Sequence, residues 1–328
     1  MTPPTATHLL ARTVRLAVGP HADGSKASRN GLVSVAASLG LEPIVEFEVC
    51  CAGAPDASGY LVDIGVIDRA VRTLVAPILV RRLGALWALS EVDLRDLGAV
   101  ARATDPTDLL TDALAALEPA LPAPVHSLTY RTSPFRSATI ERADAAEGAH
   151  RDTTMPHGAT TTSAKPAASR VLLSETFEFA ASHRLHLPAL GDEANRAMFG
   201  KCNNPNGHGH NYRIEVAVEV PVETAVRTPG ETLGETPGET PSNRGALDAA
   251  TPFGFAEIEE IVGREVMARF DHKHLNLDCP EFRDLNPSVE HIARVCHDLL
   301  APAVAARGGA LRFVRVWETE KTSCRYPA

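Results

Sequence analysis

The same order of segments occurs twice in this chain, and that recurrence limits the fold more than any other feature. In the second half, Arg213 to Val220 (RIEVAVEV) alternates polar and apolar residues, as a half-buried strand does. Phe255 to Phe270 then places Ile258, Ile261, Val262, Val266 and Phe270 at helical spacing. Ser288 stands where it can cap a second helix carrying Ile292, Val295, Leu299 and Leu300, and Arg312 to Trp317 reads as a strand again. The first half repeats the order without close identity. VRLAVGP (Val14 to Pro20) matches the strand before His183, and IVEFEVCCAG (Ile44 to Gly53) matches NYRIEVAVEV. Val62 to Leu79 matches the first helix, Asp105 to Leu117 the second, and HSLTYRTSP (His126 to Pro134) matches FVRVWETEK. We read this as an internal duplication, and a length of 328 residues suits two domains.

Two segments lack apolar periodicity. Glu141 to Ser169, rich in Ala, Thr, Gly and Pro, reads as an interdomain tether. Arg227 to Gly245 repeats GET and reads as an expanded hairpin loop. With 41 acidic against 32 basic residues the chain has a net charge of −9, which argues against a nucleic-acid binder. There is no apolar run long enough to span a bilayer, and Met1 to Leu10 lacks the basic start and apolar core of a secretory signal. The six cysteines are too scattered for a disulfide framework, so a reducing, cytoplasmic setting is expected.

The chemistry concentrates in KCNNPNGHGHNY, Lys201 to Tyr212. On a strand, His208 and His210 point to one face and can reach a single ion. A third imidazole, His183, ends the preceding strand in FEFAASHRL. Three neutral imidazoles suit Zn²⁺ and leave a fourth position open, as catalytic sites do. An isolated HxH in a Gly-rich turn favours solvated histidines. Here the third imidazole, Cys202 and the Asn-Pro-Asn-Gly turn coincide, which favours a metal. His186 is a weaker candidate, turned away by its spacing, and His274, His291 and His297 read as surface or partly buried helix residues.

These pieces, together with DHKHLNLD (Asp271 to Asp278), NPSVEHIA and VWETE (Val316 to Glu320), resemble the 6-pyruvoyltetrahydropterin synthase family, which includes the 6-carboxytetrahydropterin synthases of queuosine biosynthesis. The resemblance implies an α+β fold of tandem tunnelling-fold (T-fold) domains. Each is a four-stranded antiparallel sheet with two helices on one face. Residues 1–140 are then a degenerate copy, 141–169 a linker, and 170–328 a catalytic domain with a long hairpin insertion at about 221–251. It further implies that His183, His208 and His210 hold zinc, that Cys202 is the general base, and that Asp271 and His272 relay its proton. A helix-end cap explains Asp271 and His272 equally well. Glu318 corresponds to the pterin anchor, and Glu290 and Ser288 are further substrate-contact candidates, although capping explains Ser288 as well. Trp317 reads as packing.

The implied substrate is 7,8-dihydroneopterin triphosphate. The pyruvoyl branch keeps its side chain, and the carboxy branch cleaves it and releases acetaldehyde. The six-residue interval from Cys202 to His208 resembles the pyruvoyl branch. A non-catalytic zinc-binding assembly subunit is the alternative of another class, though it has no need of Cys202, Asp271, His272 and Glu318 together.

In the first half, Leu41, Glu42 and Pro43 fall opposite His208, Gly209 and His210, and Pro20 or His21 opposite His183. Val80 and Arg81 fall opposite Asp271 and His272, and Arg131 opposite Glu318. The copy is expected to be inactive and kept for assembly. Family units associate in threes, which here predicts three chains forming one live ring of C-terminal copies stacked on one inert ring.

Overall fold

Apolar side chains at every second position make each strand two-faced, and in both halves one face is buried. Along Ile44–Gly53 the buried positions include Val45, Phe47, Val49 and Cys51; along His208–Pro221 they include Tyr212, Ile214, Val216, Val218 and Val220. The computed structural model describes residues 7–17, 44–87, 105–142, 170–222 and 253–328.

The first half contributes strands β1 (His8–Ala17), β2 (Ile44–Gly53), β3 (Val125–Ser133) and β4 (Arg136–Glu141). Its helices are α1 (Ile64–Ala70), α2 (Ala76–Trp87) and α3 (Pro106–Leu117). The second half contributes β5 (Arg170–His183), β6 (His208–Pro221), the two-residue β7 (Lys273–His274), β8 (Ala310–Thr319) and β9 (Thr322–Tyr326). Its main helices are α4 (Asp192–Phe199), α5 (Phe255–Val262) and α6 (Val289–Ala306). The strands form one sheet in the order β1-β2-β3-β4-β5-β6-β8-β9, antiparallel at every step, with β7 added parallel to β5. Strands β4 and β9 were not read from the sequence; they are short, and each is held by its hairpin partner. No helix among the described residues is long and apolar enough to cross a membrane.

Several local features recur in both halves. Helix α1 runs through a π-helical turn, Val71–Val75, into α2; α5 runs through another, Gly263–Met267, to Ala268–Phe270. Asp63 caps α1 by accepting from the Gly65 amide at 2.8 Å. Gly254 takes the matching place before α5, where Glu257 reaches back to the Gly254 amide at 2.8 Å. A carboxylate thus satisfies a first-turn amide in both cases, supplied from opposite sides of the cap.

One expectation needs correction. The β3–β4 and β8–β9 hairpins have an irregularity at the same place, between Arg131 and Ser133 and between Trp317 and Thr319. Arg131 pairs with Glu46 and Trp317 with Arg213, so Thr132, not Arg131, occupies the place of Glu318. The sequence register set Leu128 on Arg315, and a one-residue slip turns every side chain to the wrong face. Strand β6, flanked by β5 and β8, ends at Pro221, ahead of the GET-rich segment. That segment, most of the 141–169 tether, and the counterparts of His183, His208 and His210 in the first half lie outside the described residues.

The halves meet edge to edge. Strand β4 pairs with β5 from Arg136↔Glu175 to Glu141↔Arg170. Arg136 reaches across this seam to Glu175, with Nε at 2.9 Å, and to Glu259, and its guanidinium lies 4.8 Å from the centre of the Phe255 ring. One apolar core runs through both halves, including Phe47, Leu128 and Ile140 on one side of the seam and Leu173, Ile214 and Ile292 on the other. Each large side chain buried there stabilises the fold by roughly 1.5–3 kcal/mol.

Candidate active site

The histidine trio follows directly from strand register. His183 ends β5 and pairs with His208, the first residue of β6, while His210 pairs with Ala181. The β5–β6 connection closes through Gly207 at φ +72°, where an added Cβ would stand 2.8 Å from His274 Nε2 and 2.9 Å from the His183 carbonyl oxygen. Glycine is required there on both counts.

One ligand atom from each of His183, His208 and His210 lies within 4.8 Å of the others. His183 Nε2 is 3.1 Å from His208 Nε2. His183 is fully buried, and its Nδ1 lies 2.7 Å from the Pro287 carbonyl oxygen and 3.3 Å from the Tyr212 hydroxyl. The carbonyl can only accept, so Nδ1 carries the proton and Nε2 turns a lone pair toward the trio, an orientation typical of metal-binding imidazoles. Burial pushes the His183 pKa down to about 4, helped by the neighbouring imidazoles and opposed by the Pro287 contact. His208 is also lowered, by burial first and then by His210. Buried His208 Nδ1 and His210 Nε2 have no hydrogen-bond partner. Three converging imidazoles, two of them with an unpartnered buried nitrogen, fit Zn²⁺.

Glu318, on β8, completes this cluster. Its Oε1 is 3.4 Å from His183 Nε2 and 3.6 Å from His210 Nε2. The sequence-predicted anchor therefore stands against the trio itself.

Cys202 lies in the short turn Gly200–Asn203, whose fold is held by Leu185 N donating to Cys202 O at 2.9 Å. Asn203 Nδ2 bonds the Leu185 carbonyl at 2.7 Å and lies 3.1 Å from His186 Nδ1, so His186 braces this loop. Cys202 shares a recess of about 590 Å³ with Arg196, Lys201 and His208, a size suited to a small ligand.

His272 lies in a second recess, where it meets Lys273, His274, His210 and the end of β5, and Asp271 precedes it in the chain. Asp271 Oδ1 accepts from the Ala180 amide at 2.9 Å and is 3.0 Å from His272 Nδ1; these two contacts, in that order, lower its pKa. The His272 amide donates to Ala180 O at 2.6 Å while its φ is +57°, a conformation uncommon for a residue with a side chain. The aligned Val80 and Arg81 instead lie within continuous helix α2. One chain thus sets Cys202 on the His208 side of the trio and His272 on the His210 side, and it does not bring the thiol and the Asp271–His272 pair together.

Ser288 is the N-cap of α6, and its hydroxyl and Glu290's own amide lower the Glu290 pKa. Trp317 packs under Arg213 and Arg315, at 4.5 and 5.4 Å from ring centre to guanidinium. The sequence reading missed Tyr212 and Pro287. Tyr212 was accessible to it, two residues beyond His210 on the same face. A backbone carbonyl such as that of Pro287 leaves no sequence signal.

Two consequences can be measured. Cys50, Cys51, Cys279 and Cys296 are buried, and burial raises the pKa of all four, to about 11 for Cys51 and Cys279. Cys324 is half-buried and also raised. A thiol reagent should therefore modify Cys202 first in the native protein, as read by mass spectrometry of early digests; early labelling of any of the four buried thiols would contradict this packing. Secondly, the unfolded chain protonates His183 near pH 6.5, whereas the folded metal-free chain resists protonation down to about pH 4. The unfolded state binds the extra proton in that window, so stability falls as pH falls. The loss from pH 7 to pH 5 is about 2 kcal/mol. Denaturant midpoints of chelator-treated protein test this, and midpoints that do not move would refute it.

Comparisons with known proteins bear on the second half of the chain. The 6-pyruvoyl tetrahydropterin synthase family model matches residues 172–228 and 245–328. The human 6-pyruvoyl tetrahydrobiopterin synthase is 33% identical over 156 residues, covering 47% of this chain and 89% of the human protein. The Poecilia reticulata protein of the same name is 32% identical over 168 residues, covering 50% and 95%. The solved Caenorhabditis elegans 6-pyruvoyl tetrahydropterin synthase is 26% identical, covers 48% of this chain and 96% of its own, and has a TM-score of 0.38. The matched stretches contain the histidine trio, Cys202, Asp271, His272 and Glu318, and by this likeness the chain belongs to the 6-pyruvoyl tetrahydropterin synthase family of lyases.

Proposed function

We propose that this chain converts 7,8-dihydroneopterin triphosphate to 6-pyruvoyltetrahydropterin with loss of triphosphate, using zinc held by His183, His208 and His210. The observation that carries this reading is the convergence of three imidazoles with Glu318 Oε1 at 3.4 and 3.6 Å from two of them. Bound zinc supplies Lewis acidity toward the side-chain hydroxyls of the substrate. The Glu318 carboxylate accepts two hydrogen bonds from the guanidine-like edge of the pterin and fixes its orientation. Cys202 removes and returns a proton on the side chain, so the reduced ring and the oxidised side chain come from one internal rearrangement without an outside oxidant. His272, oriented by Asp271, exchanges that proton with the thiol. Since one chain holds the two groups in separate recesses, their meeting requires a rearranged loop or a neighbouring unit. Ser288 and Glu290 are retained as substrate-side candidates next to Pro287.

In this reading residues 1–140 are an inactive T-fold copy tethered by 141–169 to the catalytic copy at 170–328, and the enzyme works in the cytoplasm as a homo-oligomer. Thr132 in the place of Glu318 leaves the first copy without a pterin anchor.

The test is incubation of zinc-loaded protein with 7,8-dihydroneopterin triphosphate and identification of products by mass spectrometry. The pyruvoyl product supports the proposal. A carboxy product with acetaldehyde moves the chain to the queuosine-type branch. No turnover with zinc bound favours the assembly-subunit reading. Glu318→Gln should keep its zinc yet lose tenfold or more in kcat/KM, mostly through KM, since a hydrogen bond to a charged group contributes about 1.5–3 kcal/mol. An unchanged KM for E318Q would remove Glu318 from pterin binding.

A further inference from the structure

Two recesses flank the histidine trio, one lined by His208 and the other by His210. Glu318 contacts the ring nitrogens of His183 and His210, at 3.4 and 3.6 Å, and so marks the His210 side. Cys202 marks the His208 side. The His208 recess, of about 590 Å³, is also lined by two cations, Arg196 and Lys201. Both residues are exposed, and among the described residues neither side chain has a hydrogen-bond or ion-pair partner. The first-turn acids of α4, Asp192 and Glu193, do not line the recess. In a chain of net charge −9, two unpaired cations on one recess are available to an anion.

Their backbone positions are fixed by the fold. Asn195, fully buried, donates through Nδ2 to the carbonyls of Leu187 and Leu190 at 2.9 Å each and accepts from the Leu187 amide at 2.8 Å. These bonds tie α4 to the preceding loop one residue before Arg196. The Gly200 amide then donates to the Arg196 carbonyl, and the 3-10 turn that follows carries Lys201 and Cys202. Asn203 closes that turn against the Leu185 carbonyl at 2.7 Å.

We propose that this recess holds the triphosphate of the substrate, with Arg196 and Lys201 as the binding residues. The proposal rests on the lyase reading and gives the substrate a direction. Its ring lies toward Glu318 and His210, its side chain crosses the trio, and its triphosphate sits beside Cys202. The chemistry asks for the same order. Losing triphosphate without adding another group is an elimination. A C–H bond breaks on the carbon next to the phosphorylated one, and its electron pair forms a C=C bond. The C–O bond breaks with its pair leaving on the triphosphate, and the proton passes to the Cys202 sulfur. The base therefore works one carbon away from the departing group, and Cys202 shares its recess with the two cations. The planar guanidinium of Arg196 can meet two phosphate oxygens at once, and Lys201 supplies a compact charge. Negative charge building on the leaving oxygen is balanced where it develops.

Inorganic tripolyphosphate is the probe, titrated by calorimetry into chelator-treated protein so that capture of zinc by the polyphosphate does not enter. The parent should bind it. Arg196→Gln and Lys201→Gln should each weaken binding by about tenfold or more, the contribution of a hydrogen bond to a charged group. Lys273→Gln, in the other recess, should bind as the parent does. All three residues are exposed, and circular dichroism checks that the variants keep the parent's fold. No binding by the parent, undiminished binding by R196Q and K201Q, or a loss confined to K273Q would each overturn the assignment. Turnover of 7,8-dihydroneopterin triphosphate separates this outcome from the lyase reading. A parent that forms product while R196Q and K201Q match its kcat/KM would strike the recess and leave the reaction standing. Binding that weakens in R196Q and K201Q, in a parent that forms no product, would keep the polyphosphate site and strike the reaction.

Discussion

His208→Ala is expected to leave the protein folded, free of zinc and without measurable turnover. His208 is the first residue of β6 and only partly buried, so its loss leaves the β5–β6 ladder in place. It removes one of three ligands, and the two that remain do not close a tetrahedral site. A metal's stabilisation of developing charge is worth several kcal/mol, so turnover should fall by about a thousandfold or more. Metal analysis and a circular dichroism spectrum on the same sample decide the matter. A folded H208A protein that keeps a full equivalent of zinc would overturn the trio as the metal site.

Cys202→Ala should separate chemistry from metal binding. The thiol sits in a 3-10 turn whose ties to the rest of the chain run through the Cys202 carbonyl and through Asn203, neither of which the substitution touches. Zinc content and melting temperature should stay close to those of the parent. Turnover should fall by about 10²–10⁴-fold, the usual contribution of a positioned general base. Equal loss of zinc and activity would make Cys202 a structural or metal-linked residue instead.

How much of this site was legible follows from distance along the chain. His208 and His210 are two residues apart, and strand periodicity alone puts them on one face. Joining His183 to them needed only the hairpin-like pairing of β5 with β6. Glu318 belongs to a strand more than a hundred residues later, and nothing in its local sequence marks it as more than a strand-end carboxylate; resemblance proposed it and the fold puts it beside His183 and His210. The Asp271–His272 corner was legible as a motif, but its position on the opposite side of the trio from Cys202 was not, because that depends on Ala180 holding the corner against β5. The slip at Arg131 has a similar origin: an irregularity in a hairpin adds a residue without adding a pattern.

The sequence by itself determined the strands with strong alternation, two helices of each half and the shared face of His208 and His210, since all of these rest on periods of two and 3.6 residues. Only the tertiary structure decided that β4 pairs with β5, which makes the two halves one sheet. Strand edges present the same backbone groups whatever their side chains, so which edge meets which is settled by the geometry of the whole sheet and not by any local signal.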